Sequence, residues 1–339
     1  LEGFAFVPDP TTGGEMRKLV MRAARRALCA EVPRRVTAAE AAPDAASRLT
    51  ADQRITWNDH PIARLRRGAT PLRPLVEVAD SEFLDGAQRE RLRARLQRFL
   101  DAAIAAGLAP LFRAEAAAAA DPALRGPLHL LAEALGVLAE GGATGADAEL
   151  RRRLKPIGVV AGRFALFLPA LLKPHAAALR ARLWAVWDGE GRPMVLPHPG
   201  AVAIAASPDW PAGFATAMGW LPAGPVLLRL DVAERLAAEL AALTRRGAAP
   251  VPSGLASRMG VRAADLPAAL RALGYRIAPG PVAPPDFCGP PPPPLLVPLR
   301  RRRDEREPGR AAAARPAERP ARSVPAAAGP FAALAALFR

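Results

Sequence analysis

Alanine occupies 79 of the 339 positions, against six isoleucines and one tyrosine, and this limits the kind of core the chain can build. Alanine is the best helix former but buries little apolar area. Such a chain must draw its core from leucine stripes on helices. Strands are confined to the few places where β-branched and aromatic residues gather. The hydrophobic share of 51% therefore overstates the material available for burial. The length still allows two or three domains with a real core.

The charged residues narrow the function. Lys and Arg number 47 against 32 Asp and Glu, a formal charge of +15; three are lysines (Lys18, Lys155, Lys173), leaving 44 arginines. No lysine follows a glycine. A Walker A loop needs Gly-Lys-Ser/Thr to hold phosphates, so these residues contain no P-loop ATPase. An Ala/Arg/Pro/Gly-rich, Lys-poor composition is also that of a high-GC genome, so codon bias competes with function as the source of the charge. Attraction to polyanions follows either way.

Cys29 and Cys288 form no Cys-x-x-Cys pair, and His60, His129, His175 and His198 are scattered, which speaks against a zinc site. Two cysteines give no disulfide framework and fit a reducing cytoplasm. The longest apolar run, Phe164 to Leu172, has nine residues and is split by Pro169, against about 20 needed to span a bilayer. No membrane partner is expected. No signal-peptide pattern opens the chain, and its start at Leu1 rather than Met predicts a piece of a longer product.

Periodicity predicts a mainly α protein with small β elements (α+β): a helical scaffold, a small edge sheet, a winged-helix-like unit and a disordered basic tail. Residues 1–50 hold an extended apolar stretch, Gly3 to Pro8, a loop at Thr11 to Gly14, and a basic helix from Glu15 to about Glu31 with Leu19 and Ala23 on its apolar face. Residues 51–85 read as two or three strands, turning at Asn58-Asp59, with Pro61, Pro71 and Pro74 marking edges. Residues 86–190 are helical. Leu92, Leu96 and Phe99 share a face, and Leu124, Leu128, Leu131, Leu135 and Leu138 form a stripe that Gly141, Gly142 and Gly145 interrupt. A helix from His175 to Trp187 follows. In residues 191–277 a strand at Val202 to Ala205 precedes a helix from Trp210 to Met218. A second strand, Val226 to Leu230, leads to a helix capped by Asp231. A helix, a turn at Gly260 and a second helix then suggest a helix-turn-helix core. Residues 278–339 read as a Pro/Arg-rich tail, with polyproline at Pro290 to Pro294 and an amphipathic patch after Pro330.

No catalytic constellation or metal-ligand cluster stands out. Basic clusters are the better lead, because each can neutralise phosphates. Arg64, Arg66 and Arg67 flank the small sheet, with Arg73 nearby. Arg151, Arg152, Arg153 and Lys155 precede Arg163 and Lys173. Arg258 and Arg262 decorate the helix-turn-helix, and Arg300, Arg301, Arg302 and Arg303 open the tail. Against each cluster stands a solvated face paired with acids. Trp57 can stack a base or serve the core.

The block GRFALFLPALLKP at 162–174, followed by LRARLWAVW, resembles a stretch of bacterial helicase-related proteins akin to the mitochondrial-type superfamily 2 DExH/D RNA helicases. LEGFAFVPDP at 1–10, ITWNDHPIARL at 55–65, LRPLVEV at 72–78, LHLLAEALGVL at 128–138, VLLRLDVAERLAAEL at 226–240, LPAALRALGYRI at 266–277 and the terminal GPFAALAALFR agree in order. The resemblance implies the region that follows the helicase motor, and the missing Gly-Lys fits that position. It places ATP and magnesium in the absent motor domains, with no cofactor and no catalytic residue in this chain. Its expected partners are single-stranded RNA or DNA and the protein's own N-terminal motor. The resemblance breaks at the tail, which is Arg-rich here and acidic or Ala/Pro-rich in the family. The competing expectation is an interaction module that docks a protein partner through the Pro-rich tail and terminal patch.

Overall fold

Leu28, Val32, Val36 and Ala39 bury one side of the first helix, α1 (Gly14–Ala41). The structure, a computed structural model, describes residues 4, 13–139, 146–188, 192–207, 209–281, 288–290 and 292–299. Instead of ending near Glu31, α1 continues through Pro33 to Ala41. A proline inside a helix costs about 3 kcal/mol. The fully buried Val32 and Val36 beside it return about 1.5–3 kcal/mol each, so the helix survives. Leu19 is 61% exposed and takes no part in the core.

Strands β1 (Ser47–Leu49), β2 (Arg54–Trp57), β3 (His60–Arg66) and β4 (Leu75–Val78) form a four-stranded antiparallel meander in chain order. The sheet gains β1, too short to show alternation in sequence. Asn58 and Asp59 take φ of 47° and 65° in a two-residue turn that pairs Trp57 with His60. Both residue types tolerate that left-handed conformation. Pro61 lies on the interior strand β3 rather than at an edge. It is accommodated because the ladder shifts register opposite it, at Ile55/Thr56.

Helix α2 (Gly86–Gly107) starts at a capping box in which Asp85 and Gln88 satisfy each other's backbone N–H. It buries Leu92, Leu96, Phe99, Leu100 and Ile104. Helices α3 (Ala109–Ala120) and α4 (Pro122–Glu133) follow. The leucine stripe outlasts its helix. After Glu133, Leu135 (φ 53°) and Gly136 (φ 92°) turn the chain, and Leu138 belongs to strand β5 (Val137–Leu138). Asp147 caps α5 (Ala148–Leu154). Strands β6 (Val160–Ala161) and β7 (Leu166–Phe167) complete a small sheet in the order β5-β7-β6. Helix α6 (Pro174–Trp187) buries Leu179, Leu183 and Trp184.

The C-terminal elements begin with β8 (Ala203–Ala205) and α7 (Phe214–Ala217). Helix α7 is shorter than the expected Trp210 to Met218, since Pro211 and Gly213 (φ 84°) occupy its approach. Strands β9 (Trp220–Ala223) and β10 (Val226–Arg229) join β8 in the order β8-β10-β9. Helix α8 (Leu230–Leu243) has Arg229 at its N-cap. Asp231, expected as the cap, sits in the first turn and pairs with Arg229 at 2.7 Å. Then come β11 (Ala249–Pro250), α9 (Leu255–Met259), α10 (Leu266–Ala272), β12 (Tyr275–Ala278) and β13 (Leu295–Pro298). The order helix, strand, helix, helix, strand, strand, with the sheet running β11-β13-β12, is a winged-helix arrangement. Strand β13 corrects the expected tail boundary at 278. The proline run lies on the connection between β12 and β13, and Leu296 in the central strand is fully buried.

Alternate residues of β10 serve two cores. Leu227 packs with Trp220 and Phe214 in the main core, and Leu228 packs with Leu236, Leu270 and Leu296 in the C-terminal one. Residues up to Leu299 form one unit. No single described helix is long and apolar enough to cross a membrane. The stretch Gly3 to Pro8 apart from Phe4, the glycines at 141–145, and all of residues 300–339 lie outside the described residues.

Candidate nucleic-acid interface

Strand register gathers arginines on the solvent face of the first sheet. Ile62 and Leu65 of β3 point into the core, and Arg64 and Arg66 point out. Arg54 of β2 stands directly opposite Arg64. Like charges in that position repel each other. Just past β3, the Arg67 guanidinium lies 4.0 Å from the centre of the Trp187 ring on α6. Arg54, Arg64, Arg66 and Arg67 line one open cleft of about 710 Å³ with Asp52 and Gln53.

Two carboxylates answer these four cations. Asp52 pairs with Arg54 at 3.1 Å. Arg64 and Arg66 both donate their Nε to the same oxygen, Glu77 Oε2, the latter at 2.6 Å. Hydrogen bonds from Arg64, then Arg66, hold the Glu77 carboxyl down at about 2, and the Arg64 guanidinium is raised in turn. No carboxylate among the described residues pairs with Arg67. All these side chains are substantially exposed, so the pairs are screened and individually weak.

Arg54 escaped the sequence reading for a definite reason. Counting back from the Asn58-Asp59 turn pairs it with Ala63. The bulge at Ile55/Thr56 moves it one place, opposite Arg64.

The other predicted clusters are spent locally or dispersed. Arg152 pairs with Glu149, and Arg153 with both Asp121 (2.9 Å) and Glu149 (2.8 Å). Those contacts lower both carboxyls and raise Arg153. Arg151 and Lys155 on the same segment are exposed, as is Lys173 at the start of α6. Arg163 is half-buried, with its guanidinium 5.7 Å from the Phe164 ring centre and 5.6 Å from that of Tyr275. It braces a loop against β12. Arg258 binds both oxygens of Glu239, and Arg262 is exposed between α9 and α10. Helix α10 does not present an open face. Ala268 packs on Gly224 in the β9–β10 turn, where a Cβ would come within 2.7 Å of it, leaving Pro267 and Arg271 exposed. Arg300 to Arg303 lie outside the described residues. Trp57 is half-buried and packs against the core, stacked on the buried Phe4 at 6.3 Å and 4° between ring planes.

Two polar arrangements, one buried and one half-buried, carried no sequence signal. Arg180, on α6, is fully buried and donates Nε to Leu135 O (2.6 Å), Nη1 to Leu171 O (3.1 Å) and Nη2 to Ala217 O. Glu234, on α8, accepts the backbone N–H groups of Arg163 (2.7 Å), Phe164 (2.7 Å) and Ala165 (3.3 Å). Neither is a surface for ligand; both tie distant segments together.

No protein-family model, curated protein or solved structure matches the chain.

Proposed function

We propose that the chain is an accessory region that guides single-stranded nucleic acid for an ATP-dependent helicase motor, through contacts to the phosphate backbone. The observation that carries this reading is the cleft of Arg54, Arg64, Arg66 and Arg67, where four guanidiniums meet two carboxylates. Arginine forks match phosphate oxygens in pairs of hydrogen bonds. The resemblance of the 162–174 block to helicase-related proteins supports the same role. The winged-helix unit lends it less, because α10 is packed against the neighbouring sheet.

Titration with labelled single-stranded RNA at 50 and 200 mM salt tests the proposal. Three or four phosphate contacts weaken single-strand binding on the order of 10- to 50-fold over that range. Replacing Arg64 and Arg67 by Ala should abolish most of the salt-sensitive binding. Absence of binding at 50 mM salt, or binding indifferent to salt, overturns the role.

A further inference from the structure

We propose that Glu77 is a built-in placeholder for a phosphate: its carboxylate occupies the seat between Arg64 and Arg66 that a polyphosphate backbone takes on binding. The inference rests on the cleft being the nucleic-acid site and names what regulates its affinity. One oxygen of Glu77 receives both arginine Nε groups, so two cations converge on a single anionic point. Glu77 does not stand apart from the groove. Arg54 and Arg64 line the cleft on one side and also the adjoining depression on the other, which Glu77, Ala79 and Asp80 complete. The carboxylate therefore lines the depression while holding two arginines of the cleft, Arg64 and Arg66.

The exchange is chemically even-handed. Glu77 and both arginines are about half exposed, so the pairs part without uncovering a buried charge. A phosphate brings more acceptor oxygens than the single one now shared, and each guanidinium can then bind it in a paired fork. Arg258 and Glu239 provide the contrast. That pair is one-to-one, already uses both carboxylate oxygens, and does not line this cleft. A placeholder lowers resting affinity and lets a strand be released and retaken, which suits guiding more than storage.

The full chain and its Glu77→Gln, Glu77→Ala and Glu239→Gln variants are titrated with an oligouridine and, separately, with inorganic polyphosphate at 50 and 200 mM salt. Both Glu77 variants are expected to bind each probe about tenfold more tightly at the lower salt, with the salt slope steeper by about 0.7 per added phosphate contact. Glu239→Gln should change neither. The placeholder is overturned if polyphosphate affinity stays within about twofold of the parent in both Glu77 variants, or if Glu239→Gln gives an equal gain. Tighter polyphosphate binding with no RNA binding by any form upholds the placeholder and removes the nucleic-acid reading instead.

Discussion

Arg180 shows how much one side chain can organise. Its guanidinium reaches three carbonyls on three segments: the turn after α4, the turn Pro169–Leu172, and α7. Burial pulls its pKa down to about 10, so it keeps its charge at neutral pH, balanced by carbonyl dipoles. Arg180→Met fills similar volume but leaves three buried acceptors without donors. The expected loss is about 3–5 kcal/mol, read from urea midpoints, with Arg180→Lys recovering part of it. An unchanged midpoint in both variants would mean the carbonyls find other donors. Glu234 works in the opposite sense, as an acceptor for three N–H groups, and Gly162 beside it has no room for a Cβ. Glu234→Gln turns an NH2 towards those donors and should lower stability by about 1–3 kcal/mol by the same measurement. Glu77 gives a pH signature. Its pKa is depressed, so its pairing is complete above the ordinary value of 4.5 and is lost as pH falls through about 2. NMR titration of its carboxyl should find that low midpoint, and Arg64→Ala should move it upward. Neither Arg180 nor Glu234 was legible in sequence. Each looks like a common polar position on a helix, and most of the partners lie tens of residues away.

At the level of elements, regular patterns were legible and irregular endings were not. The leucines at 124, 128 and 131 and the Asn58-Asp59 turn announce themselves through spacing and residue type. The end of α4 does not, because it depends on Leu135 adopting a conformation its side chain disfavours. The arginine cleft was half visible: Arg64, Arg66 and Arg67 by proximity in sequence, Arg54 hidden by a bulge. Strand β13 was masked by the proline run before it, which by composition belongs to a tail. Its importance is measurable. Leu296→Ala should cost about 2–5 kcal/mol, since the side chain is fully buried. A chain ended at residue 299 should keep the parent melting transition, whereas one ended at 278 should lose stability by more than the point variant. Equal stability of the two truncations would show that β13 is dispensable.

Across the whole molecule, the two cores are not independent. β10 is a wall between them, with Leu227 on one side and Leu228 on the other. A piece comprising residues 200–299 carries the complete winged-helix unit yet leaves Leu227, Trp220 and Phe214 without the helices that cover them. It should show no cooperative melt and should bind a hydrophobic dye, in contrast to the chain ended at 299; a sharp transition in the short piece would make that unit autonomous. The strand order β11-β13-β12 has a further consequence, for biosynthesis. The flanking strands leave the ribosome first, and sixteen more residues, 279–294, must be made before the strand that joins them. At about 5–20 residues per second that is about 1–3 s in which two sheet edges and the seat for Leu296 stand open. Through that interval the nascent chain carries an unfinished sheet, and the prolines that set its length also keep the connecting segment from pairing there prematurely.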